Sequence, residues 1–452
     1  MAINDSQARF VTGSISRHVI IMTLTGAIGL MSLFLVDFAD LYFLSLLGET
    51  EITAAIGFAG MIAFTSLSVS IGIGIAGAAL VAQCMGAGNR DAAKRYATNN
   101  LVIALAVPVL VALIIFSFSP NILALLGAKG TTLDHGVLYL KTVALGFPLL
   151  GASICCSFIL RAIGDARRAM YVTLIAAVGN GILDPLFIFG LDLSIQGAAL
   201  ATICANLASF LVAFYSVSRR HSFFVAFNIE HFLTDFRALW RIAVPATLTQ
   251  LATPFAIGYL TWSAAAFGDE VVAGTAIVNR LVPVAFGIIF SLSGAVGPII
   301  GQNYGAQNYA RLRETLNKAM AFNIAYTAIV TAVLWVLRND VPGWFLAKGD
   351  TAKLVTLFCT YLAFSWMFAG MQYVAQASFN NLGKAHWSMM FNWGKATIGT
   401  IPFVFVAAKL WGYNGMMIGY AAGTVVFGCI ATISVYAYVN VLAKPGDEHG
   451  TH

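Results

Sequence analysis

Charged residues are scarce in this sequence. Only 10% of its 452 residues are Asp, Glu, Lys or Arg, whereas 59% are hydrophobic. A water-soluble domain carries roughly 25% charged residues, enough to cover its surface. The shortage excludes a soluble globular protein, and the hydrophobic excess predicts a chain whose outer surface faces lipid.

Metal-binding and catalytic motifs are also missing. The six cysteines form no C-x-x-C pair and the seven histidines form no cluster, which argues against a zinc or disulfide framework. No H-E-x-x-H or G-x-S-x-G occurs, so a polytopic membrane enzyme is disfavoured. The net charge of +6 comes from basic residues scattered through short loops, so no nucleic-acid partner is expected. No cofactor is expected either.

Hydrophobic runs of about 20 residues, the length that crosses a bilayer, recur along the chain. The first is too long for a signal-peptide core and lacks a cleavage site, so we expect it to remain as a helix. The long polar stretch at 219–238 separates an amino-terminal lobe (1–218) from a carboxyl-terminal lobe (239–440), which a tail (441–452) follows. Twelve runs are predicted to span: 18–47, 53–84, 97–118, 136–160, 169–190, 197–218, 239–266, 272–301, 316–337, 352–378, 388–408 and 414–440.

Basic residues are divided unequally between alternate loops. Loops on the side of the two termini carry 17 Lys and Arg, and loops on the other side carry 6. Because short cytoplasmic loops are rich in Lys and Arg, both termini are predicted to be cytoplasmic, in a cell inner membrane. Arg280 and Lys395 are the basic residues that fall inside predicted helices.

The two halves of the sequence repeat. Residues 83–89 (QCMGAGN) recur as 302–308 (QNYGAQN), and 164–166 (GDA) recur as 383–385 (GKA), both at an offset of 219 residues. Six helices per half make the repeat parallel rather than inverted. The pattern predicts an all-α membrane protein of two six-helix bundles with a cavity between them, opened alternately to each side. The Gly and Asn of the repeated loops are interpreted as turns that end helices, not as a phosphate-binding loop.

Three carboxylates fall inside the predicted spans. Asp37 and Asp40 lie in the first and Asp184 in the fifth. A carboxylate in a bilayer costs at least about 2.5 kcal/mol, so it usually faces a cavity and has a function. The alternatives are that the acids pair with a base for packing and that Asp40 lies nearer the outer water. Asn180, one turn before Asp184, shares its helix face, and Thr202 can reach the same level.

These residues predict a polar pocket in an apolar surround, which we call the coupling pocket: Asp37, Asn180, Asp184 and Thr202. Burial disfavours the charged form of a carboxylate, so the pocket could take up a proton outside and release it inside. The same oxygens could bind sodium, and the residue types alone do not separate the two ions. The positions 219 residues after Asn180 and Asp184 are Gly399 and Phe403. The second half therefore has no equivalent polar pair, which predicts that coupling occurs in the amino-terminal lobe alone.

Taken together, several motifs resemble the multidrug and toxic compound extrusion (MATE) family along nearly the whole chain. They are Val36-Asp37 with Leu47-Gly48, the paired Gln-x-x-Gly-Ala-x-Asn loops, residues 161–165 (RAIGD) and residues 244–246 (VPA). The resemblance implies a monomeric secondary antiporter. It would export small lipophilic cationic compounds, drugs among them, across the lipid bilayer by alternating access. The exchanged ion would be the proton, or alternatively sodium.

Within that family the DinF-like branch is the better match. The resemblance identifies the coupling pocket as the amino-lobe cation site of this branch, with Tyr139 as a further member of its network. The carboxyl-lobe acids of the NorM-like branch are absent, which favours proton coupling. Two features depart from the branch: residues 23–29 (TLTGAIG) lack the proline to which helix bending is attributed, and Asp40 is an addition.

Other transport functions fit less well. A lipid-linked saccharide flippase, the runner-up, often has more helices and a markedly basic cavity. A channel would not need the bundle repeat and the buried acids, which favour a gated carrier.

Overall fold

The computed structural model describes residues 8–45 and 50–443, without the side chains of residues 37–42, 44, 45, 50, 52 and 53. The described chain is almost entirely helical, as the sequence predicts. The first half contains α1 (Ile15–Ser45), α2 (Thr50–Gly86), α3 (Arg90–Leu125), α4 (Gly130–Ala144), α5 (Phe147–Ala162), α6 (Ala166–Pro185) and α7 (Ser194–Tyr215). π-Helical turns extend α6 over Leu186–Gly190 and α7 over Ser216–Arg220.

The second half repeats this order. It contains α8 (Ile229–Ala265), α9 (Asp269–Gly305), α10 (Tyr309–Val336), the short α11 (Val341–Trp344), α12 (Gly349–Leu357), α13 (Trp366–Asn381), α14 (Ala385–Ala396) and α15 (Ile401–Leu442). A π-helical turn (Phe358–Leu362) and a 3₁₀ turn (Ala363–Ser365) connect α12 to α13.

Several spans are broken rather than continuous. Helices α4 and α5 are bent by 46° and together are long and apolar enough for one span. In α15 the backbone leaves the helical region at Trp411 (φ −133°) and Gly412 (φ 60°). The part before this kink continues α14, and the part after it forms the last span. By length and composition, nine helices of the described residues could cross a membrane, or ten with the α4–α5 pair counted as one span. Division of the last of these at its kink, with α8 counted as a span, gives the twelve predicted spans.

The backbone shows the internal repeat directly. Helices α2 and α9 are offset by 219 residues at both ends, and so are α5 and α13. Left-handed φ values recur at the same offset, in the pairs Gly88 (74°) and Gln307 (55°), Gly127 (103°) and Leu346 (52°), Gly130 (54°) and Gly349 (55°), and Gly164 (92°) and Gly383 (72°). The loops at 86–90 and 305–309 end one helix and cap the next, since the Asn89 and Asn308 side chains accept from the backbone N–H of Ala92 and Arg311. The interpretation of these loops as turns is confirmed.

Contacts divide the described chain into two compact units. Residues 24–85 and 89–250 belong to the first, and residues 8–23, 86–88 and those from Leu251 onward belong to the second. In the first unit α6 packs on α7 and α3 on α5, and in the second α13 packs on α9 and α15. Small residues permit close approach between helices. Gly77 on α2 lies so close to Asn100 on α3 that a Cβ at this position would overlap the Asn100 side chain.

The segment predicted as a linker, residues 219–238, is anchored on the first unit at three points. His221 Nε2 lies 2.8 Å from Asp165 Oδ2, and the Val225 N–H donates to Thr98 Oγ1 at 3.0 Å. The buried Asp235 carboxylate accepts from Arg95, at 2.8 and 3.1 Å, and from Asn99 at 2.8 Å. Helix α8 begins at Ile229, ten residues before the predicted span, because these contacts and the turn at Asn228 support a polar first stretch.

One anchor depends on the charge of Asp165. Burial alone would raise the pKa of this carboxyl, but hydrogen bonds from His221 and Arg168 outweigh burial and lower the pKa to about 2. Asp165 also caps α6 by accepting from the Arg168 N–H. The carboxylate is therefore ionised at physiological pH and bonded on both sides.

The amino-terminal segment is held by the second unit. Phe10 is 1% exposed, and its N–H donates to Gln302 Oε1 at 2.8 Å. The Arg311 guanidinium donates to the carbonyls of Phe10, Thr12 and Gly13 at 3.1, 3.3 and 3.1 Å. No sequence motif predicts that these backbone carbonyls accept hydrogen bonds from Arg311.

Candidate coupling pocket

The best-defined part of the coupling pocket is a pair of polar side chains on α6. The Asn180 amide donates to Asp184 Oδ2 at 2.7 Å. Asp184 is 1% exposed and Asn180 is 9% exposed. The four-residue spacing brings the two side chains together on one helix face, as the sequence predicts. A carboxylate at this depth without a donor would be costly, and the amide supplies one.

The helix changes its geometry directly after this pair. Pro185 has no N–H, so it cannot continue the α-helical hydrogen bonding, and the chain continues as the π-helical turn Leu186–Gly190. On α7, Gly197 lies against the Phe187 backbone so closely that a Cβ would meet the carbonyl oxygen at 2.6 Å. π-Helical turns inside α-helices are frequent at functional sites.

Helix α1 runs beside α6 at this level. A Cβ built on Gly181 would lie 3.5 Å from the Val36 side chain, and one on Gly29 would lie 3.0 Å from Thr173. Further along, the rings of Phe43 and Phe189 are 6.5 Å apart. The side chains of Asp37 and Asp40, which the sequence assigns to α1 of this site, lie outside the described residues.

The remaining predicted members lie on other helices. The Thr202 hydroxyl donates to the Ala198 carbonyl of its own helix at 3.0 Å. Tyr139 packs against Ile188 and Ala198, which lie four residues from Asp184 and Thr202 respectively. The structure thus joins Asn180 and Asp184 by a hydrogen bond and brings Tyr139 to the adjacent turn. The participation of Thr202 and Tyr139 in one network stays a prediction.

Sequence reasoning missed a set of buried amides in the second unit. Gln372, Gln376 and Asn380 follow one another at four-residue spacing on α13, and each is less than 8% exposed. Gln372 Nε2 lies 3.3 Å from the Phe391 carbonyl and 3.4 Å from Asn392 Oδ1 on α14. The four-residue spacing of amides in an apolar run was the available signal. These amides differ from the Asn180–Asp184 pair of the first unit because, among the described residues, no buried carboxylate lies beside them.

The repeated apolar helices define a class: a multi-pass membrane protein. The MatE family profile matches residues 27–186 and 245–406, once in each half and over more than half of the chain. The chain therefore belongs to the MatE family, whose members are membrane transporters and not enzymes.

Individual relatives agree with this assignment. The FAD transporter of Shewanella oneidensis is 26% identical over 441 residues, which cover 96% of each chain. The multidrug export protein MepA of Staphylococcus haemolyticus is 25% identical over 442 residues, again 96% of each. The crystal structure of a mutant of the Vibrio cholerae MATE transporter VcmN superposes with a TM-score of 0.90, at 24% identity, over 94% of this chain and 97% of that one.

Proposed function

We propose that this protein is a cation-coupled antiporter that exports small lipophilic cations and binds its coupling ion at Asp184. The observation that carries the proposal is the buried hydrogen bond between Asn180 and Asp184 on a helix that changes geometry one residue later. An acid buried in a membrane helix is retained at a cost, and it commonly marks an ion pathway. The match to the MatE family supports transport as its use.

Asp37 is the proposed partner carboxylate. Its chain neighbour Val36 packs next to Gly181, which precedes Asp184 by three residues. Two acids at this level would repel each other when both are ionised, and one proton would relieve the repulsion. Protonation would then favour a different packing of α1 on α6, and so a different facing of the transporter.

A proton is the proposed coupling ion, with sodium as the alternative. Sodium binding needs several oxygen atoms directed at one point, as hard cations do in proteins. Asn180 directs its amide N–H, not its oxygen, at the Asp184 carboxylate. This arrangement suits a carboxylate that gains and loses a proton.

The test is transport by purified protein in liposomes with ethidium as the fluorescent cation. A pH gradient and a sodium gradient are imposed separately on the wild type, on Asp184→Asn and on Asp192→Asn, which removes an exposed acid at the end of the same span. We expect pH-driven efflux in the wild type and in Asp192→Asn, and none in Asp184→Asn. Wild-type efflux by Asp184→Asn would reject the proposed site, and efflux driven by sodium alone would reject the proton.

A second substrate class, an aromatic anion, is favoured by one observation. Lys395 places a basic side chain within the span formed by α14 and the start of α15, and the described residues provide no carboxylate to pair with it. The relative named as an FAD transporter carries a substrate of this chemistry. The flippase alternative gains no comparable support, because Arg280, the other base inside a predicted helix, is exposed.

A further inference from the structure

Lys395 is a partly buried residue near the end of a helix in the second unit. It is the eleventh residue of α14, which begins at Ala385 and ends at Ala396. At 1.5 Å per residue it lies about 15 Å along the helix, roughly half of a hydrocarbon core about 30 Å thick. The corresponding residue of the first unit, 219 positions earlier, is Ala176. The charge is thus specific to the second unit.

The helix break that follows Lys395 is built into the packing. The Thr400 hydroxyl donates to the Lys395 carbonyl at 2.8 Å, and the Gly399 N–H donates to the Gly394 carbonyl at 2.8 Å. The ring of Phe427 lies so close to Gly394 and Gly399 that neither position has room for a Cβ. Interrupted helices form the substrate sites of many transporters, because their ends leave backbone groups and side chains directed at a ligand.

The surroundings of the Lys395 ammonium are aromatic and lack an opposite charge. Its Nζ lies 5.9 Å from the centre of the Tyr420 ring. Trp393, on the same helix, is 5.6 Å from the ring of Phe255. Tyr420 and Trp393 pack against a buried cluster of three alanines, Ala252, Ala256 and Ala396. Within the described residues the ammonium makes no hydrogen bond or ion pair with the protein.

We infer that Lys395 binds the anionic group of an exported substrate, and that Tyr420, Trp393 and Phe255 receive the planar aromatic part of the same molecule. An ammonium away from water needs a counter-charge, and the aromatic rings replace only part of its hydration. A phosphate or carboxylate would supply the missing partner. The inference rests on the proposed export function and extends its substrates to amphipathic aromatic anions. The rival explanation is that Lys395 only offsets the dipole at the end of α14.

The test compares two fluorescent flavins that share one ring system. Riboflavin is neutral, and flavin mononucleotide adds a phosphate. Binding to the full chain in nanodiscs is measured by fluorescence polarisation, with empty nanodiscs subtracted. The variants are Lys395→Gln, Lys395→Arg and the control Lys384→Gln, which removes a lysine that also lies over a tyrosine ring, Tyr438, at 5.7 Å.

We expect the wild type to bind flavin mononucleotide at least about tenfold more tightly than riboflavin, a difference of about 1.4 kcal/mol. Lys395→Gln should abolish this preference without weakening riboflavin binding, whereas Lys395→Arg and Lys384→Gln should keep it. A wild type without the preference, or a Lys395→Gln protein that keeps it, overturns the inference. Equal loss for both flavins also overturns it, because it would assign Lys395 a structural role alone.

Ethidium efflux driven by a pH gradient separates this inference from the proposed function. The wild type and the Lys384→Gln control should export ethidium at equal rates, and unchanged riboflavin binding by Lys395→Gln shows that this variant is folded. If no protein exports ethidium but the phosphate preference depends on Lys395, the coupling proposal fails and the anion site stands.

Discussion

Removing the amide of Asn180 should change the pH at which protonation controls transport. In Asn180→Ala the Asp184 carboxylate loses a donor at 2.7 Å in a site that is almost fully buried. An N–H donor stabilises an ionised carboxylate more than a protonated one. Without it the protonated form gains relative to the ionised form, so protonation should occur at higher pH.

The size of the change follows from the hydrogen bond. A hydrogen bond to a charged group contributes about 1.5–3 kcal/mol, and each pH unit corresponds to about 1.36 kcal/mol. The midpoint of the pH dependence should therefore rise by roughly one to two units. Ethidium binding to the wild type should weaken as pH falls through this midpoint, because protonation removes the negative charge that attracts a cation. Fluorescence polarisation between pH 5 and 9 measures both curves.

The control is another buried amide of the same unit. Asn100 is 1% exposed and donates to the Cys155 sulfur at 3.0 Å, not to a carboxylate. Asn100→Ala should create a similar cavity yet leave the pH midpoint where it is. An unchanged or lower midpoint in Asn180→Ala, or an equal shift in both variants, would refute the assignment of Asn180 as the donor that sets protonation.

Three further predictions concern the packing of the units. Asp235→Asn should lower the midpoint of thermal unfolding in detergent more than Asp91→Asn, because of these two acids only Asp235 is buried and hydrogen-bonded. Equal midpoints would contradict the role of Asp235 in anchoring residues 219–238 on the first unit. The contribution of Asp165 to stability is present above its ordinary pKa of 3.8 and should be lost as pH falls towards 2, and unfolding curves of Asp165→Asn should lack this loss. Gly399→Ala should destabilise the protein because its Cβ would meet Phe427, and Phe427→Ala in the same chain should recover part of the loss; no recovery would place the strain elsewhere.

The sequence was sufficient where a feature depends on neighbours along the chain. Spans follow from runs of apolar residues, and the repeat follows from short motifs at one offset. The pairing of Asn180 with Asp184 follows from helix periodicity alone. All three required no knowledge of which helices touch.

It was insufficient where a feature depends on contacts between distant segments. The early start of α8 depends on Asp235 meeting Arg95, 140 residues away. The break after Lys395 depends on Phe427 filling the space beside two glycines, and an apolar run of the same composition would otherwise predict a continuous helix.

The amino-terminal segment has a consequence for synthesis. Phe10 is translated 292 residues before its hydrogen-bond partner Gln302. At about 5–20 residues per second, roughly 15 to 60 s separate the two on the ribosome. During that interval the backbone groups of residues 8–13 lack the acceptor and donors that hold them in the finished protein. Residues 8–13 therefore reach these contacts only after Gln302 and Arg311 have been translated.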